Sequence, residues 1–274
     1  MILSPGTSGV ILRLGIAILF GWLSHLPSIA ADNAGVATQT QFQFLLSPDQ
    51  TIPEARIADE GICGLQLRDR SLLVDAETRG IANMVVRYLP EGKLISPENR
   101  ESQNDGVANR DSPATWRLKD CRFFPRILVV QPGQMIEIQN LDLINHTMTI
   151  QPLISKSRSL FIPVTTTQRL MFGSPEPAPV AIDGCIPPYM DGSIVVANPA
   201  HVGVSDSHGF ASISRLPRGT PLTFILQHER LHQPIASIKL NGKPLPIQRN
   251  RFQITLPKNV KRDRLRLQIQ FPLD

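Results

Sequence analysis

Apolar residues come in short runs of four to nine, broken by polar, Gly or Pro residues, a rhythm that predicts strands rather than helices. The clearest run is Arg264 to Phe271: Leu265, Leu267, Ile269 and Phe271 fall on one side, and Arg264, Arg266, Gln268 and Gln270 on the other. Met135 to Gln139 alternates in the same way. Further strand-like runs lie at Leu65 and Leu67, Leu72 to Val74, Ile81 to Leu89, Arg126 to Val130, His146 to Gln151 and Ser193 to Ala197. Hairpin patterns fill Val202 to Leu226. Gln131-Pro132-Gly133-Gln134 fits a type II turn, with Gly where φ must be positive. Residues 32–50 are polar and rich in Gln and Thr, which reads as a flexible lead-in, and 91–113 reads as a long exposed loop. Many short strands at this spacing predict an all-β sandwich.

The start of the chain has another texture. Leu14 to Leu23 is an apolar run with Arg13 before it, and Pro27 and the small residues Ser28 and Ala30 follow. This pattern predicts a secretory signal over residues 1–31 and a periplasmic or secreted protein. The alternative is a retained anchor, but a spanning helix needs about 20 apolar residues and this run is shorter. No later segment is apolar enough to cross a membrane as a helix.

Composition narrows the choice. The chain has 274 residues, 42% of them hydrophobic and 19% charged, which is a globular balance. Its 24 prolines argue against a mainly helical protein. Aromatics make up 5%, too few for a platform that stacks single-stranded nucleic acid. The net charge is +5, and Lys258, Lys261, Arg262, Arg264 and Arg266 form a basic cluster. Such a cluster is ordinarily a solvated strand face, and it could dock on an acidic partner or surface. There is no Ser-His-Asp pattern, HExxH or P-loop, and no enzyme activity is expected. Asp142 and Glu176 read as turn or rim carboxylates rather than an acid–base pair. Three cysteines, Cys63, Cys121 and Cys185, in an exported chain imply one disulfide and one remaining thiol.

The stretch 115–197 carries the most specific sequence. Cys121-Arg-Phe-Phe-Pro125 is followed by a Gly-bearing turn, a strand ending in Asn140, His146, and then Cys185-Ile-Pro-Pro-Tyr-Met190. This order resembles a cupredoxin domain, in which a His after such a strand and a later Cys/His/Met loop bind copper. With Ile62-Cys63-Gly64 and Arg79-Gly-Ile-Ala-Asn-Met-Val-Val86, it resembles exported cupredoxin-like proteins of planctomycete-type bacteria, often called methylamine-utilization-like. Ser205 to Phe210, Ile213 to Gly219 and His228-Glu229 resemble the carboxypeptidase-regulatory or transthyretin-like sandwich that closes those chains. The resemblance implies a cupredoxin-like domain at 51–198 and a small second sandwich at 199–274. It also implies a Cys63–Cys121 disulfide, with His146, Cys185 and Met190 as candidate copper ligands.

One departure stands out. The family loop reads Cys-x-x-His-Pro-Trp-Met; here Pro187 stands at the His position and Cys185 is shifted by one. Proline offers no side-chain donor. The leading expectation is therefore an exported, non-enzymatic binding or structural module with a degenerate copper site. The alternative is a copper electron carrier that uses His146, Cys185 and Met190 and an exported redox partner. His146 could equally be a turn or core histidine, Cys185 a buried small hydrophobe and Met190 a packing residue. A weaker third class is an accessory module recognising carbohydrate or protein through its loops.

Overall fold

A computed structural model describes residues 38–53, 57–60, 66–68, 72–90, 111–186 and 192–272, with side chains left aside in 57–60, 66–68 and 183–186. The signal-like segment, Cys63, Pro187 and Met190 lie outside the described residues, as do 91–110 of the polar loop.

The described chain is all-β, as its pattern predicts. It enters through β1 (Gln39–Leu46), β2 (Ile57–Glu60), β3 (Gln66–Arg68) and β4 (Val85–Leu89). It continues through β5 (Ala114–Lys119), β6 (Arg122–Phe124), β7 (Ile127–Val130), β8 (Met135–Asn140) and β9 (His146–Gln151). Next come β10 (Arg158–Ile162), β11 (Thr167–Met171), β12 (Val180–Ile186) and β13 (Ser193–Val196). A short 3-10 turn, Pro199–His201, leads to β14 (Val202–Val204), β15 (Phe210–Ser214), β16 (Pro221–Gln227), β17 (Ser237–Leu240), β18 (Lys243–Leu245), β19 (Arg251–Thr255) and β20 (Arg262–Gln270).

Four sheets of four or five strands build two cores. The orders β10-β9-β12-β13-β7 and β11-β8-β5-β6 enclose a core drawn wholly from residues 116–196, including Trp116, Ile136, Ile138, Met148 and Val196. Trp116 stacks on Phe123 with ring centroids 4.0 Å apart and donates from Nε1 to the Pro125 carbonyl at 2.7 Å. The orders β15-β1-β20-β17-β18 and β14-β4-β16-β19 enclose the second core, around Phe42, Phe44, Met84, Phe224, Leu267 and Phe271.

Two expectations are corrected here. Residues 39–46 are not a flexible lead-in but a strand. Thr40, Phe42, Phe44 and Leu46 point inward in period two, and Gln39, Gln41 and Gln43 occupy the other face. The polar glutamines masked that alternation. The strand is held on both sides, antiparallel to β15 and parallel to β20. The division between the cores also does not fall at residue 198. β1 and β4 precede β5, where the first core begins, yet belong to the same sheets as β14 to β20. The unit at 114–196 is therefore inserted into a sandwich that the chain begins before it and finishes after it. β4 and β14 are antiparallel neighbours, Arg87 facing Val202, so the chain leaves and re-enters that sandwich at adjacent positions.

Several predicted local features are present. β8 buries Ile136, Ile138 and Asn140 in alternation, and β20 buries Leu267 and Ile269. In the predicted type II turn, Gly133 has φ +82° and the Gln134 amide donates to the Gln131 carbonyl at 3.1 Å.

The two units are joined tightly. Val85 and Val202 of the host sandwich pack with Val195 of the insert and with Ala197, which follows it. The buried Arg87 donates from Nη1 to the carbonyls of Glu176 and Pro177, each at 3.0 Å. Arg126 makes a two-pronged pair with Glu229, Nε to Oε1 at 3.0 Å and Nη2 to Oε2 at 2.9 Å.

Candidate functional site

The inward alternation of β8 ends on Asn140, which is buried. Its Nδ2 donates to the carbonyls of Ile144 (2.8 Å), Ile162 (3.1 Å) and Pro163 (3.0 Å), and its Oδ1 accepts from the Asp142 amide at 2.9 Å. One side chain thus ties the loop 141–145 to the β10–β11 turn. That loop delivers His146, the first residue of β9, into the interior with its ring fully buried.

His146 Nε2 lies 2.9 Å from Asp142 Oδ2. The same carboxylate accepts the amides of Asp120 at 2.6 Å and Cys121 at 3.0 Å. Asp120 and Cys121 have φ of +52° and +53° and form the tight turn between β5 and β6, as a two-residue hairpin of the type I′ kind requires. A carboxylate receiving two amides acts as an acceptor, so Nε2 is the ring nitrogen that carries hydrogen toward it. Asp142 is therefore more than a turn carboxylate: it links the imidazole to the β5–β6 turn. Nothing in the local sequence pairs it with residues 120 and 121, which become neighbours only through the β5–β8 pairing.

Cys121 is fully buried and disulfide-bonded. Both possible partners, Cys63 and Cys185, have side chains outside the described residues. The backbone of Cys185 falls in an irregularity of β12, between Asp183, which pairs with Thr149, and Ile186, which pairs with Thr147. The strand carrying Cys185 thus runs beside the start of β9.

The other described imidazoles belong to residues 201–232 and are engaged elsewhere or exposed. His201 packs edge-on against Tyr88 with centroids 5.2 Å apart, and burial lowers its pKa. His208 Nδ1 is 3.7 Å from Asp75 Oδ2. His228 donates from Nε2 to the Ala82 carbonyl at 3.1 Å and accepts the Arg230 amide on Nδ1 at 3.2 Å, which fixes its tautomer. Its burial pushes its pKa down to about 4. His232 is exposed. Among the described residues no three His, Cys, Asp or Glu side chains gather as a metal-holding group.

Glu176 departs from its expected place on a rim. It is buried, and its carboxylate accepts three successive amides, Leu153 and Ile154 at 2.9 Å and Ser155 at 2.8 Å. Burial alone would raise its pKa; the hydrogen bonds from Ser155 and its neighbours outweigh that and hold it below the ordinary carboxylate value. Its role is to fold the β9–β10 loop inward, where no reacting group faces it among the described residues.

No family model matches the chain, and no curated protein matches it. Among solved structures, a copper-containing nitrite reductase from Thermus scotoductus SA-01 is 22% identical, with a TM-score of 0.29 over 32% of this chain. The match spans 23% of that reductase. A reduced amicyanin mutant is 18% identical, with a TM-score of 0.28 over 34% of this chain and 87% of amicyanin. A purple cupredoxin from Nitrosopumilus maritimus is 14% identical, with a TM-score of 0.26 over 31% of this chain and 99% of that protein.

Proposed function

We propose that this chain is an exported, non-enzymatic cupredoxin-like module, binding or structural, whose copper site is incomplete. The observation that carries the reading is the shortage of imidazoles around His146 among the described residues. A blue copper site needs two imidazoles and a thiolate in one plane, with a weak axial ligand. His146 is the only described histidine of the inserted unit, and with Nε2 bonded to Asp142 it offers a metal one nitrogen at most. The described histidines of the host sandwich are turned to Tyr88, Asp75 and Ala82, or exposed. Pro187, at the position of the family's second imidazole, has no donor atom. The donor set therefore does not fit a complete type 1 centre, and His146 serves to tie the β8–β9 loop to the β5–β6 turn.

The test is titration of the purified protein with Cu(II) and Cu(I), followed by visible spectra and stoichiometry. The expected result is no stable blue Cu(II) adduct, and at most weak Cu(I) binding through Cys185 and Met190 that is lost in Cys185→Ala.

The copper electron-carrier reading retains one observation in its favour: β12 carries the Cys185 backbone alongside the start of β9, where His146 sits. A stable blue species at one copper per chain, abolished by His146→Ala, would make that reading the leading one.

A further inference from the structure

Strands β1 and β20 run parallel in register, so that Gln39, Gln41 and Gln43 face Arg262, Arg264 and Arg266 in turn. The opposite face is buried in β1 and partly to fully buried in β20, which puts these six side chains on the outer face of the sheet. The three arginines are exposed, and none has a carboxylate partner among the described residues. Asp263, the acid between them in sequence, points the other way and pairs with Arg218. The neighbouring strands add Ser212 and Ser214 on one side and Lys239 on the other, and no acid at an outward position.

We propose that this face binds a linear anionic polysaccharide. Arginines two apart on a strand stand about 6.8 Å from one another, giving a straight row of guanidinium groups over about 14 Å. That row suits a polymer with regularly repeated carboxylate or sulfate groups. The glutamine row runs alongside at the spacing of adjacent strands, about 4.8 Å. Carboxamides both donate and accept, so they match sugar hydroxyls, which do the same. Two other polyanions fit less well. No exposed large apolar side chain lies on these strands, which removes both base stacking and insertion into a lipid surface. The face of a five-stranded sheet also cannot enter a duplex groove as a helix or two-stranded ribbon does.

The experiment measures binding of the purified full chain to heparin, polygalacturonate, neutral dextran and a 20-base-pair DNA duplex over a range of salt. The ladder variant Arg262→Gln/Arg264→Gln/Arg266→Gln is compared with a control that removes three exposed charges elsewhere, Lys156→Gln/Arg158→Gln/Arg251→Gln. Binding to at least one anionic polysaccharide, weakened by salt and tenfold or more in the ladder variant but less than threefold in the control, is the expected result. Gln41→Ala should weaken the same complex, and dextran should not bind. Equal losses in ladder and control would reduce the effect to net charge and overturn the proposal. So would tighter binding to the duplex through the same arginines, or no polysaccharide binding at all. Thermal melts of all variants separate loss of binding from loss of fold.

Discussion

The carboxylate of Asp142 holds the imidazole of His146 at 2.9 Å while accepting two amides from a turn more than twenty residues earlier in the chain. A side chain that would ordinarily prepare a histidine for metal binding here also closes the β5–β6 hairpin. Geometry and stability are coupled at this residue.

Replacing Asp142 by Ala leaves the part-buried Cys121 amide and a buried imidazole nitrogen without their acceptor, while the exposed Asp120 amide passes to water. Each unsatisfied buried group costs about 1–3 kcal/mol, so we expect a loss of about 2–4 kcal/mol. Leu143, in the same loop, is 87% exposed, and Leu143→Ala should change stability by less than about 0.5 kcal/mol. Denaturant midpoints of the two variants check this; equal midpoints would mean that the carboxylate holds nothing together.

His228 makes stability depend on pH in a defined window. In the folded state burial holds its pKa near 4, against an ordinary value of 6.5. Between these values the unfolded chain binds a proton that the folded chain does not, so stability is full above about pH 6.5 and falls as pH drops toward 4. The loss reaches up to about 3 kcal/mol. Glu176, held below its ordinary value, acts at lower pH: its contribution is present above about 4.5 and is lost as pH falls through its folded value. Urea midpoints from pH 7 to 4.5 should fall in the unmodified protein and flatten in His228→Gln. Parallel slopes would assign the dependence to other groups.

The thiol count tests the cysteine pairing. A Cys63–Cys121 bridge leaves Cys185 as one free thiol per chain in denatured, unreduced protein. On the chain-entropy model, closing a loop of this length stabilises by about 4 kcal/mol. Peptide mapping that joins Cys185 to Cys121 would reverse the assignment and remove the candidate thiolate.

Leu267 is fully buried in β20, whereas Arg266 beside it is exposed. Leu267→Asp places an unpaired charge in the core and should destabilise by several kcal/mol. Arg266→Ala should cost less than about 0.5 kcal/mol. Indistinguishable melting curves would contradict the alternation of the strand.

Much of this was legible in the pattern, and the failures share a cause. The alternations of β8 and β20 and the glycine of the 131–134 turn are local signals, and the structure keeps them. β1 was obscured because three glutamines alternate with its apolar residues, and because it pairs with β20 and β15, far away in sequence. The same limit hid the inserted topology: nothing near Val85 states that its partners lie beyond residue 200. At the candidate site, His146 was visible as a residue, but the Asp142 hydrogen bonds depend on a contact between elements. Glu176 was misread because a turn-like sequence gives no measure of burial.

The position of β20 between β1 and β17 bears on how the protein is made. In the exported chain proposed above, strands β5 to β13 emerge consecutively on the far side of the membrane and can close their own core before the rest of the chain has followed. β1 emerges earlier than all of them, yet one of its two neighbours is β20, the last of the described strands. Until that strand arrives, β1 presents an open edge next to Phe42 and Phe44, which is an aggregation hazard of the kind that late, non-local pairing creates. Order of emergence thus runs opposite to order of containment: the guest domain is finished before its host can close.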